Sequence, residues 1–134
     1  MRIEKIVIHC TDTFADMDIG VDEIRQWHLE RGFSDVGYHY VIRRDGSVEQ
    51  GREETTPGAH VRGHNANSLG VAMVGGKARG NESPVNFTSA QWASLDRLIS
   101  KLKAVHRAEV VGHCDLDSGK TCPTFNVAAW VETI

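Results

Sequence analysis

No apolar run in this chain approaches the roughly 18 residues needed to cross a bilayer. The stretch MRIEKIVIHC at its amino terminus has neither the long apolar core nor the small-residue cleavage site of a signal peptide. Synthesis in the cytoplasm is expected, without membrane insertion. Cysteine is scarce and odd in number, three in all. That count, in a reducing compartment, excludes a disulfide framework and leaves at least one thiol needing another explanation. Positive charge is not in excess either: fifteen Lys and Arg stand against eighteen Asp and Glu, for a formal charge of -3. The basic residues are scattered rather than striped, which argues against nucleic acid as a partner.

The 40% hydrophobic and 25% charged residues are those of an ordinary soluble protein. At 134 residues the chain has the length of one domain, 1–134, able to bury roughly two-thirds of its unfolded surface. It has no internal repeat, low-complexity tract or linker.

Hydrophobic periodicity divides the chain into alternating elements. KIVIHC (5–10) reads as a strand, with Val7 and His9 on one face and Ile6 and Ile8 on the other. DIGVDEIRQWHLERG (18–32) reads as an amphipathic helix stopped by Gly32, with either Trp27 or His28 completing its apolar stripe. Asp45-Gly46 sits at the turn of a hairpin over 37–52, in which Tyr38, Tyr40 and Ile42 should share a face opposite His39 and Val41. The polar stretch 53–70 is a loop of a length that usually carries function, and SLGVAMVGG (68–76) reads as a central strand. Thr88 and Gln91 form a capping-box pattern that opens a helix running to about His106. AEVVGHC (108–114) gives another strand and FNVAAWVETI (125–134) a closing helix. The irregular alternation predicts an α/β domain, a mixed sheet flanked by helices.

Two of the strands, KIVIH and EVVGH, end in a histidine, and strand ends beside a crevice are where a sheet brings distant side chains together. Cys122 follows His113 by nine positions, immediately before a proline. His9, His113 and Cys122 would make a three-ligand zinc site with the fourth tetrahedral position open to water. A histidine at a strand end serves structure more often than ligation, so spacing alone leaves both uses open.

The blocks IVIHCTDT, EIRQWH with DVGYHYVIRRDGSVEQGR, PGAHVRGHNANSLGVAMVGG and GHCDLDSGKTCP, in that order, resemble the zinc-dependent N-acetylmuramoyl-L-alanine amidases, in the branch of the phage lysozymes. The peptidoglycan recognition proteins of animals share that fold. The resemblance covers nearly the whole chain. It implies one zinc ion per chain, held by His9, His113 and Cys122, and hydrolysis of the amide between N-acetylmuramic acid and L-alanine in bacterial peptidoglycan. It also implies an assisting tyrosine at Tyr38 and a lysine at Lys120, the latter suited to stabilising negative charge that builds on the carbonyl oxygen. Tyr38 would orient the attacking water or donate to that oxygen. His60 aligns with a rim position that contacts substrate or the tetrahedral intermediate, and Asn65 and Asn67 either bind substrate or stitch their loop together. A monomeric endolysin is expected, reaching the wall once the membrane is breached.

Cys10 and Cys114 directly follow the two histidines, and strand alternation would turn them away as buried free thiols. His28, His39, His64 and His106 carry no assigned chemistry. Asp115 and Asp117 lie close enough in sequence to intrude on the metal. Two rival readings remain: a non-catalytic peptidoglycan-binding module of the same fold, and a cysteine hydrolase built on Cys114 or Cys10 with a histidine base.

Overall fold

The computed structural model describes residues 2–134. Its elements follow as β1 (Lys5–Cys10), β2 (Thr13–Phe14), α1 (Val21–Glu30), β3 (Tyr40–Ile42), β4 (Val48–Gln50), β5 (Ser68–Met73), β6 (Gly76–Lys77), α2 (Ser89–His106), β7 (Glu109–Gly112), α3 (His113–Leu116) and α4 (Val127–Val131). Five strands make one sheet in the order β4-β3-β5-β1-β7. Strands β3, β5, β1 and β7 are parallel, and β4 closes one edge antiparallel to β3. The mixed sheet flanked by helices agrees with the sequence expectation. A two-stranded parallel ribbon, β2 with β6, lies beyond the carboxyl ends of β1 and β5.

The two sheet faces bury different partners. Ile6 and Ile8 of β1, Ile42 of β3 and Leu69, Val71 and Met73 of β5 pack with Leu95, Ile99 and Leu102 of α2 and Val127 of α4. On the other face Val41 joins Ile24 of α1, with Ile19, Val36 and Val74. All six residues of β5 are buried, which is why its sequence reads as a continuous run of small and apolar residues rather than an alternation.

Several boundaries differ from the periodic reading, each for a physical reason. Helix α1 starts at Val21, whose N–H donates to Glu49 Oε1 at 2.9 Å; the cap arrives from β4. Its inward ring is His28, while Trp27 stays 37% exposed. The hairpin pairs only Tyr40–Ile42 with Val48–Gln50. Tyr38 lies before the regular pleat, packs with the Val41 cluster and so does not share a face with Tyr40 and Ile42. Strand β5 stops at Met73, because Gly75 and Gly76 take positive φ values of 133° and 93°. Strand β7 ends at Gly112, and His113 and Cys114 open the helical turn α3 instead of extending the strand. Strand alternation therefore does not apply to Cys114, which is half-buried rather than buried. Helix α4 is confined to Val127–Val131.

Candidate metal centre

β1 and β7 are parallel neighbours, with Ile8 opposite Gly112, so the residue following each pair is carried to the same end of the sheet. These residues are His9 and His113, whose ring centroids stand 4.7 Å apart. The chain from α3 then doubles back, fixed by Cys114 N–H donating to the Cys122 carbonyl at 2.9 Å. Cys122 Sγ comes to 3.8 Å from His9 Nδ1 and accepts the Cys10 N–H at 3.1 Å. One donor atom each from His9, His113 and Cys122 lies within 4.8 Å of the others.

That donor set suits zinc. With Zn–N near 2.0–2.1 Å and Zn–S near 2.3 Å, tetrahedral ligand atoms stand roughly 3.3–3.8 Å apart, so closure onto an ion needs a contraction of about 1.5 Å at most. Two imidazoles and a thiol select zinc over the hard cations that prefer oxygen. Among the described residues, no hydrogen bond engages either ring nitrogen of His113. Burial, then the neighbouring His60 and His113, hold the His9 pKa well below the ordinary imidazole value, and burial also lowers that of His113, helped by Lys120 and opposed by Asp117. Both rings are thus neutral, the form that ligates. Contact with Cys10 and burial favour the neutral Cys122 thiol, a preference that a divalent cation reverses.

The two aspartates are engaged elsewhere: Asp115 Oδ2 accepts the Gly112 N–H at 2.8 Å and Asp117 Oδ1 the Gly119 N–H at 3.1 Å. Cys10 is buried in the core with Ile6 and Ile8; its backbone N–H and carbonyl meet Cys122 Sγ at 3.1 and 3.7 Å. Tyr38 stands beside the cluster, its ring 5.2 Å from that of His9. Burial, then the charges that Cys122 and Cys10 would carry, raises its pKa above that of a free phenol, so the hydroxyl keeps its proton. Lys120 is exposed on the α3–Cys122 loop, where its N–H bonds the Asp117 carbonyl at 3.0 Å.

Of the loop residues, His60 lies elsewhere than the sequence reading gave it, and Asn65 takes the stitching role that the reading also allowed. His60 is not at the rim: it is only 8% exposed and bonds inward to His9, Nδ1 to Nε2, at 2.9 Å. Its other nitrogen meets Ser68 Oγ at 3.1 Å, a partner the sequence reading missed. Asn65 stitches the loop, its Oδ1 accepting the N–H groups of His60 and Val61 at 2.9 Å each. Asn67 lies at the opposite end of the sheet from the cluster. Its carbonyl accepts the Glu4 N–H at 2.8 Å and its side chain donates to Glu4 at 3.3 Å. His28 and His39 are buried acceptors of the Gly37 and Gly70 N–H groups, at 2.8 and 3.0 Å. His106 pairs with Glu54 at 2.8 Å.

Comparison with known proteins agrees with this geometry. A family model described as N-acetylmuramoyl-L-alanine amidase matches residues 1–125. The endolysin of Enterobacteria phage K11 is 47% identical over 128 residues, spanning 94% of this chain and 83% of that protein. The endolysin of Klebsiella phage KP32 is 48% identical over 130 residues, 96% of this chain and 85% of that one. Among solved structures, the N-acetylmuramoyl-L-alanine amidase LysC from Clostridium intestinale URNW superposes with a TM-score of 0.82 at 29% identity, covering 98% of this chain and 86% of LysC. Convergent donors, sheet order and similarity over nearly the full length lead to one conclusion: this chain belongs to the N-acetylmuramoyl-L-alanine amidase family.

Proposed function

We propose that residues 1–134 form one catalytic domain that hydrolyses the amide between N-acetylmuramic acid and L-alanine in bacterial peptidoglycan, as an endolysin. One zinc ion per chain is held by His9, His113 and Cys122. The observation that carries this reading is the convergence of those three donors within 4.8 Å in a member of the amidase family. Zinc, when bound, supplies a Lewis acid that polarises the amide carbonyl and renders water nucleophilic near neutral pH.

The chain's own residues supply the remainder. Tyr38, held protonated by burial, is a hydrogen-bond donor beside His9 rather than a base, and it serves the oxygen on which negative charge accumulates. Lys120 brings an ammonium to the exposed rim, close enough for its charge to lower the His113 pKa. Both donors act on charge that is larger in the transition state than in the substrate, the condition for raising the rate rather than merely binding. The Cys10 N–H on Cys122 Sγ stabilises the thiolate form of that ligand. The enzyme acts as a monomer. Made in the cytoplasm, it reaches the wall after the membrane is breached; among the described residues no helix is long and apolar enough to cross a membrane.

The test is turbidity loss of purified cell walls, with product analysis. New amino termini on L-alanine should appear without new reducing sugar ends. A chelator, or Cys122→Ala, should lower the rate by at least about 100-fold, about 2.7 kcal/mol of activation free energy, with zinc restoring only the chelated parent. Undiminished activity in Cys122→Ala would remove the zinc assignment, and wall binding without cleavage would make the chain a recognition module.

A further inference from the structure

We propose that His60 and Ser68 are positioning residues that lock the His9 ring in the tautomer whose Nδ1 lone pair faces His113 and Cys122. The inference rests on the metal-site reading above and adds two residues to it.

The direction of each hydrogen bond follows from the outer end of the chain. Ser68 Oγ donates its single hydrogen to the His64 carbonyl at 2.7 Å. At its 3.1 Å contact with His60 Nε2 the hydroxyl has only lone pairs to offer, so the hydrogen there belongs to the ring. A neutral imidazole carries one N–H, which leaves His60 Nδ1 an acceptor. At 2.9 Å from it, His9 Nε2 must therefore donate, and the His9 lone pair falls on Nδ1, the nitrogen 3.8 Å from Cys122 Sγ. His60 meets the neutrality condition by its surroundings: it is buried, and its two ring nitrogens meet only His9 and Ser68, with no carboxylate to balance an imidazolium.

Burial makes the order strict. His9 is 1% exposed and Ser68 0%, so solvent does not exchange these partners freely. Ring orientation is fixed along with the tautomer: His60 stands edge-on to His9, at an interplanar angle of 87°. Partners of this kind on a ligating histidine are worth about 10–100-fold in metal affinity.

Two measurements test the proposal on the full-length chain. Long-range 1H–15N spectra before metal is added should show both His9 and His60 protonated at Nε2 and bare at Nδ1. A proton on His9 Nδ1 would overturn the proposal whatever the metal does. Zn2+ competition against a chromophoric chelator should then show His60→Leu binding about 10–100-fold more weakly than the parent. His60→Asn, whose Oδ1 restores an acceptor near the same place, should recover most of that loss. Ser68→Ala should weaken binding less than His60→Leu and return His60 to a mixture of tautomers. If the parent binds Zn2+ and His60→Leu binds it equally well, the positioning role falls while the metal site stands. If the parent itself takes up no Zn2+, the metal-site reading falls and this one with it. Should His60→Leu fail to fold, the parent spectrum and Ser68→Ala decide.

Discussion

A β-carbon added to Gly70 would lie 2.6 Å from Cγ of the His60 ring and within 2.9 Å of its Nδ1. Gly70 therefore makes room for the buried ring, and it does so from the middle of a central strand, where glycine otherwise weakens a sheet. Gly70→Ala is expected to cost about 1–3 kcal/mol of stability through overpacking, read as a lower urea midpoint, together with weaker Zn2+ binding as His60 is pushed from His9. Unchanged stability and affinity would show that the ring has slack. The converging donors were legible in part: two histidines at strand ends and a cysteine before a proline stand in telling places, but spacing left structure and ligation both open, and the resemblance supplied the choice. His60 was not legible. Its partner His9 is 51 positions away, and a histidine in a polar loop looks alike whether it faces substrate or the interior. Cys114 was misplaced because the strand gives way to a helical turn two residues before the end of the stretch read as a strand.

Among the elements, α2 shows how a local signal can hide a tertiary one. Thr88 and Gln91 make the capping box that their spacing predicts: Gln91 N–H donates to Thr88 Oγ1 at 3.1 Å and Thr88 N–H to Gln91 Oε1 at 2.9 Å. The same Gln91 side chain, fully buried, also gives its Nε2 hydrogens to the carbonyls of Ile42 and Val74, at 3.1 and 2.8 Å. It thereby ties the start of α2 to the carboxyl end of β3 and the residue beyond β5. Thr88→Ala should cost about 1 kcal/mol, the ordinary worth of a cap. Gln91→Met, similar in volume, should cost about 2–3 kcal/mol because it removes both Nε2 hydrogen bonds as well as the acceptor for Thr88 N–H, while Ile42 O keeps the Val74 N–H and Val74 O keeps Arg44 Nη1. Equal effects in chemical denaturation would reduce Gln91 to a cap. The helix was readable from sequence because its cap lies within four residues; the cap of α1 was not, since Glu49 is 28 positions from Val21. Strand order and parallel register likewise depend on pairings across long loops, which no local period encodes.

For the molecule as a whole, neutral histidines buried clear of the three converging donors set the response to acid. Burial lowers the pKa values of His28 and His39, so the unfolded chain takes up protons on these side chains before the folded one does. Their contribution to stability is full above the ordinary imidazole pKa of about 6.5 and is lost as pH falls toward the depressed folded values, at up to about 1.4 kcal/mol per pH unit for each ring. The urea midpoint should consequently be lower at pH 5.5 than at pH 7.5, and a flat or opposite trend would contradict the burial of these rings as neutral acceptors. Cys122 stands 113 positions after His9, and β1 pairs with strands that begin at Ser68 and Glu109, contacts of the long-range kind that form late. A ribosome releases the first of the three donors long before the last. Throughout that interval the growing polypeptide holds an incomplete donor set, which only the carboxyl-terminal part of the chain completes.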